Sequence, residues 1–188
     1  MPDAPNRPMI LAVQGADREV IQALLVEAAC RLKARGAHVI GVVEDMVPGI
    51  AHQDVMLLDL VTGATNRLHQ DLGPGSSGCS LDPEGLAAAC AGVESAIAAR
   101  LAQTGGAGGE GAGTVVVLSK FGRQEAEGRG LTAAFHAAVA AEFFILTSVS
   151  PTVAAEWGGF SGDMARLAPA DLAEVDAWWG GVPAVPPQ

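Results

Sequence analysis

Cations are scarce in this chain. It carries 11 Lys and Arg against 21 Asp and Glu in 188 residues, for a net charge of −10. That balance excludes broad electrostatic binding to nucleic acid or to an anionic membrane, since both need basic surface. Charged residues of either sign make up only 17%, yet 49% of the chain is hydrophobic, so the low charge content does not mark disorder. Cysteine is also sparse. Cys30, Cys79 and Cys90 are odd in number and lack C-x-x-C spacing, which indicates neither a disulfide framework nor a zinc site. No run reads as long and apolar enough to span a bilayer, and the opening M-P-D-A-P-N-R-P lacks the basic-then-apolar order of a signal peptide. The expectation is a cytoplasmic protein without a membrane partner, folded as one domain over residues 1–188 with an irregular tail at 181–188.

What is present is an alternation of short apolar runs with helical periodicity. Residues 9–13 (M-I-L-A-V) and 38–43 (H-V-I-G-V-V) read as strands. Between them, Gln14 to Asp17 turns the chain and a helix follows from Arg18, with Asp17 as its N-cap. Its apolar positions Val20, Ile21, Leu24, Leu25, Ala28 and Leu32 recur at helical spacing, and Arg35-Gly36 closes it. Such a strand-helix-strand unit predicts parallel pairing of its two strands with a right-handed crossover. Residues 44–71 break the alternation, with a strand at 55–60, a turn at Thr62-Gly63 and a return at 67–71, and read as an inserted β-hairpin. After a loop at 72–80, Asp82-Pro83 starts an alanine-rich helix to about residue 103. The glycine-rich segment 104–113 precedes a strand, so it has no phosphate role. Further elements are a strand at 114–118, a helix at 132–141, a strand at 143–149, a short helix at 151–157, a turn at 158–160, a last short strand at 165–167 and a terminal helix at 169–179. The fold class is α/β, a three-layer, mostly parallel sheet with the hairpin inserted.

The chain is organised around residues 114–131, T-V-V-V-L-S-K-F-G-R-Q-E-A-E-G-R-G-L. An uncharged strand opens into a polar loop holding Lys120, Arg123 and Arg129, with Gln124, Glu125, Glu127, Gly122, Gly128 and Gly130 between them. Open α/β sheets build ligand sites at the carboxyl ends of their strands, so this loop is the leading candidate for a site. A solvated surface loop is the alternative. The loop is expected to face the turn at Gly15 and Asp17, where a helix N-terminus offers free N–H groups and about half a positive charge.

The motif F-G-R-Q-E-A-E-G-R-G over 121–130, supported by G-C-S-L-D-P at 78–83 and G-V-V at 41–43, resembles the bacterial DUF2478 family. That family is itself similar to the THEP1-type nucleoside-triphosphatases of the P-loop class, and the resemblance covers roughly residues 9–179. It implies a P-loop NTPase-like fold and makes the missing groups informative. A P-loop needs G-x-x-x-x-G-K-[ST], its lysine bridging the β and γ phosphates and its hydroxyl holding Mg²⁺. Counted from Gly15, the second glycine, the lysine and the hydroxyl fall on Val20, Ile21 and Gln22. Where the similar strand ends in D-E-I-G-K-M-E, this chain has S-K-F-G-R-Q-E over 119–125, with Ser119 at the metal-binding Asp and Lys120 at its acidic neighbour.

These substitutions predict no Mg²⁺-dependent phosphoryl transfer. The expected function is non-hydrolytic binding of a small anion or a nucleotide at Gly15, Asp17, Lys120, Gly122, Arg123, Gln124, Glu125 and Arg129, with Lys120 as a counter-charge where the metal would stand. The resemblance further implies a link to molybdenum metabolism, and so an oxyanion such as molybdate or a molybdopterin-linked nucleotide. Cys79, in a Gly/Ser loop before a helix start, joins the candidate ligand residues because a helix N-terminus lowers a thiol's pKa. The alternatives are an enzyme using Lys120 and Glu125 for acid/base or Schiff-base chemistry, a residual nucleoside-triphosphatase, and a dimeric scaffold without a ligand. No cofactor is assigned. His52, His69 and His136 share no metal spacing, and Cys30, Cys90, Trp157, Trp178 and Trp179 read as core, the tryptophans alternatively as a subunit contact.

Overall fold

The computed structural model describes residues 8–45, 56–68, 82–105 and 113–180. Its strands are β1 (Ile10–Gln14), β2 (His38–Asp45), β3 (Met56–Asp59), β4 (Thr65–Arg67), β5 (Thr114–Phe121), β6 (Phe144–Val149) and β7 (Ala165–Pro169). Its helices are α1 (Arg18–Ala34), α2 (Pro83–Thr104), α3 (Arg123–Ala126), α4 (Thr132–Ala140), α5 (Ala154–Ser161) and α6 (Leu172–Gly180). All seven strands join one sheet in the order β4-β3-β2-β5-β6-β1-β7. The pairs β2–β5, β5–β6, β6–β1 and β1–β7 are parallel, while β2–β3 and β3–β4 are antiparallel. This is the expected three-layer α/β architecture with an added hairpin. Of the hairpin span 44–71, residues 46–55 and 69–71 lie outside the described residues, as do 72–80, 106–112 and the tail 181–188.

The register explains the layers. Ile40 lies beside Val116, Val116 beside Ile145, and Ile145 beside Ile10. That row packs on α2, α4 and α5 through Val93, Phe135 and Trp157. The alternate residues Leu11, Val115, Val117 and Leu146 face the other way, onto α1 and α6 through Leu25, Val175 and Trp178. Strands buried on both faces need continuous apolar runs, which is what 114–118 and 143–149 supply.

Six expectations are corrected. The strands at 9–13 and 38–43 do not pair; β5 and β6 lie between them. The apolar runs of β5 and β6 need neighbours on both edges, so they take the centre and the crossover through α1 spans them. The strand at 114 continues past residue 118 to Phe121 through a register irregularity, so Ser119 and Lys120 belong to the strand and not to a loop. Phe121 is 1% exposed and meets Phe135, Trp157 and Phe160 at ring-centroid distances of 5.8, 5.1 and 5.1 Å. Aromatic pairs of this kind stabilise by about 0.5–1.5 kcal/mol beyond area burial. The same cluster holds Phe160 within α5, so the turn expected at 158–160 is helical. Pro169 ends β7 opposite Gln14, and the terminal helix begins later, with Asp171 Oδ1 accepting from Ala173 N–H at 2.9 Å.

The fifth correction concerns α2. Its 22 residues reach a mean hydropathy of 1.3 over an 18-residue window, long and apolar enough by length and composition to cross a membrane. Much of that hydropathy is alanine, and Leu86, Ala89, Cys90, Val93 and Ile97 along one face are buried in the sheet's core. Among the cysteines, Cys90 is buried and its thiol pKa is raised, chiefly by burial, whereas Cys30 is exposed on α1 rather than core. The three tryptophans are buried, Trp178 donating its indole N–H to the Pro8 carbonyl at 2.9 Å.

Candidate functional site

The turn from Gln14 to α1 is short. Gly15 sits at φ +88°, where a side chain would be strained, and no atom lies within 4 Å of the Cβ position. Asp17 occupies the N-cap position with an extended backbone, and its carbonyl accepts the first helical bond from Ile21 N–H at 3.0 Å; its carboxylate makes no capping bond. The positions a P-loop lysine and hydroxyl would take therefore lie within α1. Ile21 is in the core, and Gln22 is 1% exposed.

Gln22 ties β2 to β5, and Ser148 adds β6. The Gln22 Oε1 accepts from Glu44 N–H at 2.9 Å, and its Nε2 donates to the Ser119 carbonyl at 3.0 Å. The same carbonyl accepts from Ser148 Oγ at 2.8 Å. The carboxyl ends of β2, β5 and β6 are thus joined under the first turns of α1. One helical turn before Gln22 and on the same side, Arg18 reaches the Glu44 carboxylate, Nε to Oε2 at 2.5 Å. Lys120 approaches the other oxygen, Nζ to Oε1 at 3.4 Å. Glu44 is 3% exposed, and a carboxylate that far from water is tolerable only when paired. Two cations on one carboxylate leave one positive charge uncompensated, and Lys120, 45% exposed, makes the looser contact.

The loop after β5 is braced from inside. Glu125 is buried, its Oε2 accepting from Gly122 N–H and its Oε1 from Leu131 N–H, both at 2.9 Å. A Cβ on Gly130, which sits at φ +62°, would collide with that Oε1. Arg129 is turned to its own loop, pairing with Glu127 and donating Nε–H to Gln124 Oε1 at 3.0 Å. Arg123 is exposed, and its guanidinium makes no ion pair or hydrogen bond among the described residues.

Two adjoining cavities open at this edge. One, of about 240 Å³, is lined by Arg18, Glu44, Lys120, Arg123, Gln124 and Glu125, and by Ser119 and three leucines. The other, of about 220 Å³, is lined by Ala16, Arg18, Gln22 and Lys120 with Ser148 and Ser150. Of the predicted residues, Lys120, Arg123, Gln124 and Glu125 meet at the first, and the Gly15–Asp17 turn borders the second through Ala16. Gly122 contributes its N–H to the Glu125 brace, Arg129 lines neither cavity, and Cys79, like His52 and His69, lies outside the described residues. Sequence reasoning missed Arg18, Glu44 and the bridging role of Gln22. The signals were present: a cation at the first helical position after the turn, a carboxylate closing the apolar run of β2, and an amide among the apolar positions of α1.

The donor set does not suit a divalent cation. Its buried carboxylates are Glu44, held by two cations, and Glu125, held by two backbone N–H groups. Among the described residues no three His, Cys, Asp or Glu side chains cluster as metal ligands.

Comparison with known proteins sets this geometry in context. Over 177 residues the chain is 31% identical to the molybdenum import ATP-binding protein ModC 2 of Bradyrhizobium diazoefficiens; the match covers 93% of this chain, which spans 18% of that protein's length. The fold is similar to the solution structure of a human cancer-related nucleoside triphosphatase, with a TM-score of 0.55 and 17% identity over 85% of this chain and 86% of that one. It is similar also to the crystal structure of THEP1 from the hyperthermophile Aquifex aeolicus, with a TM-score of 0.55 and 12% identity over 88% of this chain and 94% of that one. Likeness at these identities is a likeness of fold, and the sheet is P-loop NTPase-like. The α1 turn, the Gln22 bridge and the braced loop all fall within residues 10–178, which match the family described as a protein of unknown function, DUF2478, and the chain belongs to that family.

Proposed function

We propose that the crevice at the carboxyl edge of the sheet binds a small oxyanion or an anionic nucleotide without hydrolysing it. The observation that carries this reading is the gathering of Arg18, Lys120 and Arg123 around adjoining cavities in a chain with only 11 cations. Glu44 offsets one of the three charges, and Glu125 is engaged by its own loop. Hydrolysis is disfavoured by Ile21 and Gln22 at the lysine and hydroxyl positions and by Ser119 at the metal carboxylate. The name of the ModC relative supports molybdate as the first anion to try and an accessory place in molybdenum metabolism. Acid/base or Schiff-base chemistry at Lys120 and Glu125 has no specific observation in its favour, since both groups already have partners.

The test is calorimetry with molybdate, phosphate and ATP, together with a phosphate-release assay in the presence of Mg²⁺. A charge-assisted contact is worth roughly 1.5–3 kcal/mol, so Lys120→Ala should weaken binding by about ten- to a hundredfold with the fold intact. Phosphate release should not exceed the buffer control. Absence of any binding below the millimolar range, or turnover that Lys120→Ala abolishes, would sink the proposal.

A further inference from the structure

β5 carries one residue too many for its ladder with β6. Leu118 pairs with Thr147 and Phe121 with Val149, so β5 advances three residues where β6 advances two. An extra residue of this kind is a β-bulge, a device that bends a strand and re-aims a side chain. Regular alternation would send Leu118 and Phe121 to opposite faces of the sheet. Here both lie in the core against α2, α4 and α5. The bulge thereby frees Lys120 from the core face that Leu118 occupies, and Lys120 lines both cavities.

Side chains hold the bulge in place. The Ser119 carbonyl accepts from Gln22 Nε2 at 3.0 Å and from Ser148 Oγ at 2.8 Å. Gln22, Ser119 and Ser148 are all buried, so water is poorly placed to replace either bond. The other end of the same amide accepts from Glu44 N–H at 2.9 Å and fixes the backbone that carries the partner of Lys120. We infer that Gln22 is a positioning residue for the oxyanion site: through the Ser119 carbonyl it holds the bulge that aims Lys120 at the crevice. The inference rests on the anion-binding reading above and adds to it a residue that acts without touching the ligand. A lysine on a loose strand end binds an anion only after backbone and rotamers are ordered, and a strand end fixed in advance lowers that cost.

Calorimetry of the full chain with molybdate and with inorganic phosphate tests this on wild type, Gln22→Met, Lys120→Ala and the double variant. Methionine keeps the length of the side chain and loses both amide bonds. Gln22→Met should weaken oxyanion binding about fivefold. Because the effect passes through Lys120, it should shrink to under about twofold in the Lys120→Ala background. A direct contact with the anion, or a general loosening of the fold, would cost about the same fivefold in both backgrounds. Equal affinity of Gln22→Met and wild type, or an undiminished loss in the Lys120→Ala background, overturns the positioning role and leaves the anion site standing. If wild type binds neither oxyanion, both fall. Should Gln22→Met fail to fold, Ser148→Ala removes the other bond to the same carbonyl, with an expected loss of about threefold and the same cycle against Lys120→Ala to decide.

Discussion

The two halves of the charged stretch from Ser119 to Leu131 use their charges differently. In the half from Gly122 to Leu131, the charges mostly serve the loop: Glu125 caps two backbone N–H groups and Arg129 is held by Glu127 and Gln124. In the half at Ser119 and Lys120, still within the strand, the charge reaches across the sheet to Glu44 and so to Arg18 on α1. Density of charge along the chain is thus a poor guide to charge available to a ligand. A cation counts for a site when its local partners cannot satisfy it, as with Arg123, or when it shares a partner with another cation, as with Lys120.

That contrast can be broken at several points. The largest effect should come from Glu125→Ala, which strips two charge-assisted bonds from buried N–H groups and should lower stability by roughly 3 kcal/mol in urea denaturation. A loss under about 1 kcal/mol would show that the loop stands without its brace. Next, Glu44→Gln removes the carboxylate that competes for Arg18 and Lys120, and calorimetry with phosphate should show affinity rising about tenfold. Weaker binding instead would mean that Glu44 positions the cations rather than competing for them. Arg129→Ala should change affinity by less than about twofold and stability by less than about 0.5 kcal/mol, since an exposed pair is worth little; a larger loss of affinity would place Arg129 in the site.

The smallest effect lies at the opposite end of the sheet. His38 is exposed at the start of β2, yet partial desolvation, then Arg100 and Lys33, hold it below its ordinary pKa. The unfolded chain takes up that proton near pH 6.5 while the folded state does so only at lower pH. Stability therefore rises with pH through the window between the two values and is lost as pH falls below about 6.5. His38→Asn should flatten that part of a stability-against-pH curve and leave anion affinity unchanged; an unaltered curve would assign the acid sensitivity elsewhere.

Much of the fold was legible because apolar periodicity is a local signal. The helix from Arg18, the strand from Thr114 and the Asp82-Pro83 start were readable from neighbours a few residues away, and Asp82 Oδ1 does accept from Glu84 N–H at 2.9 Å. The extension of β5 to Phe121 was not, because the partners of that ring, Phe135, Trp157 and Phe160, come from later in the chain. The site was half legible for the same reason. Lys120 and Arg123 stood out within one motif, but Glu44 looked like the start of an insertion until its strand lay beside β5.

By itself the sequence determined the absences at the turn after β1: with Ile21 and Gln22 where a lysine and a hydroxyl would be needed, no packing can supply those groups from that helix. It also determined the overall scarcity of cations and the alternation that makes a parallel sheet. Only the tertiary structure decided that β5 and β6 separate β1 from β2, and that Arg18, Glu44 and Lys120 converge. Those three residues lie on separate elements, and an ion pair across such separations exists only once strand order has set which carboxyl ends adjoin.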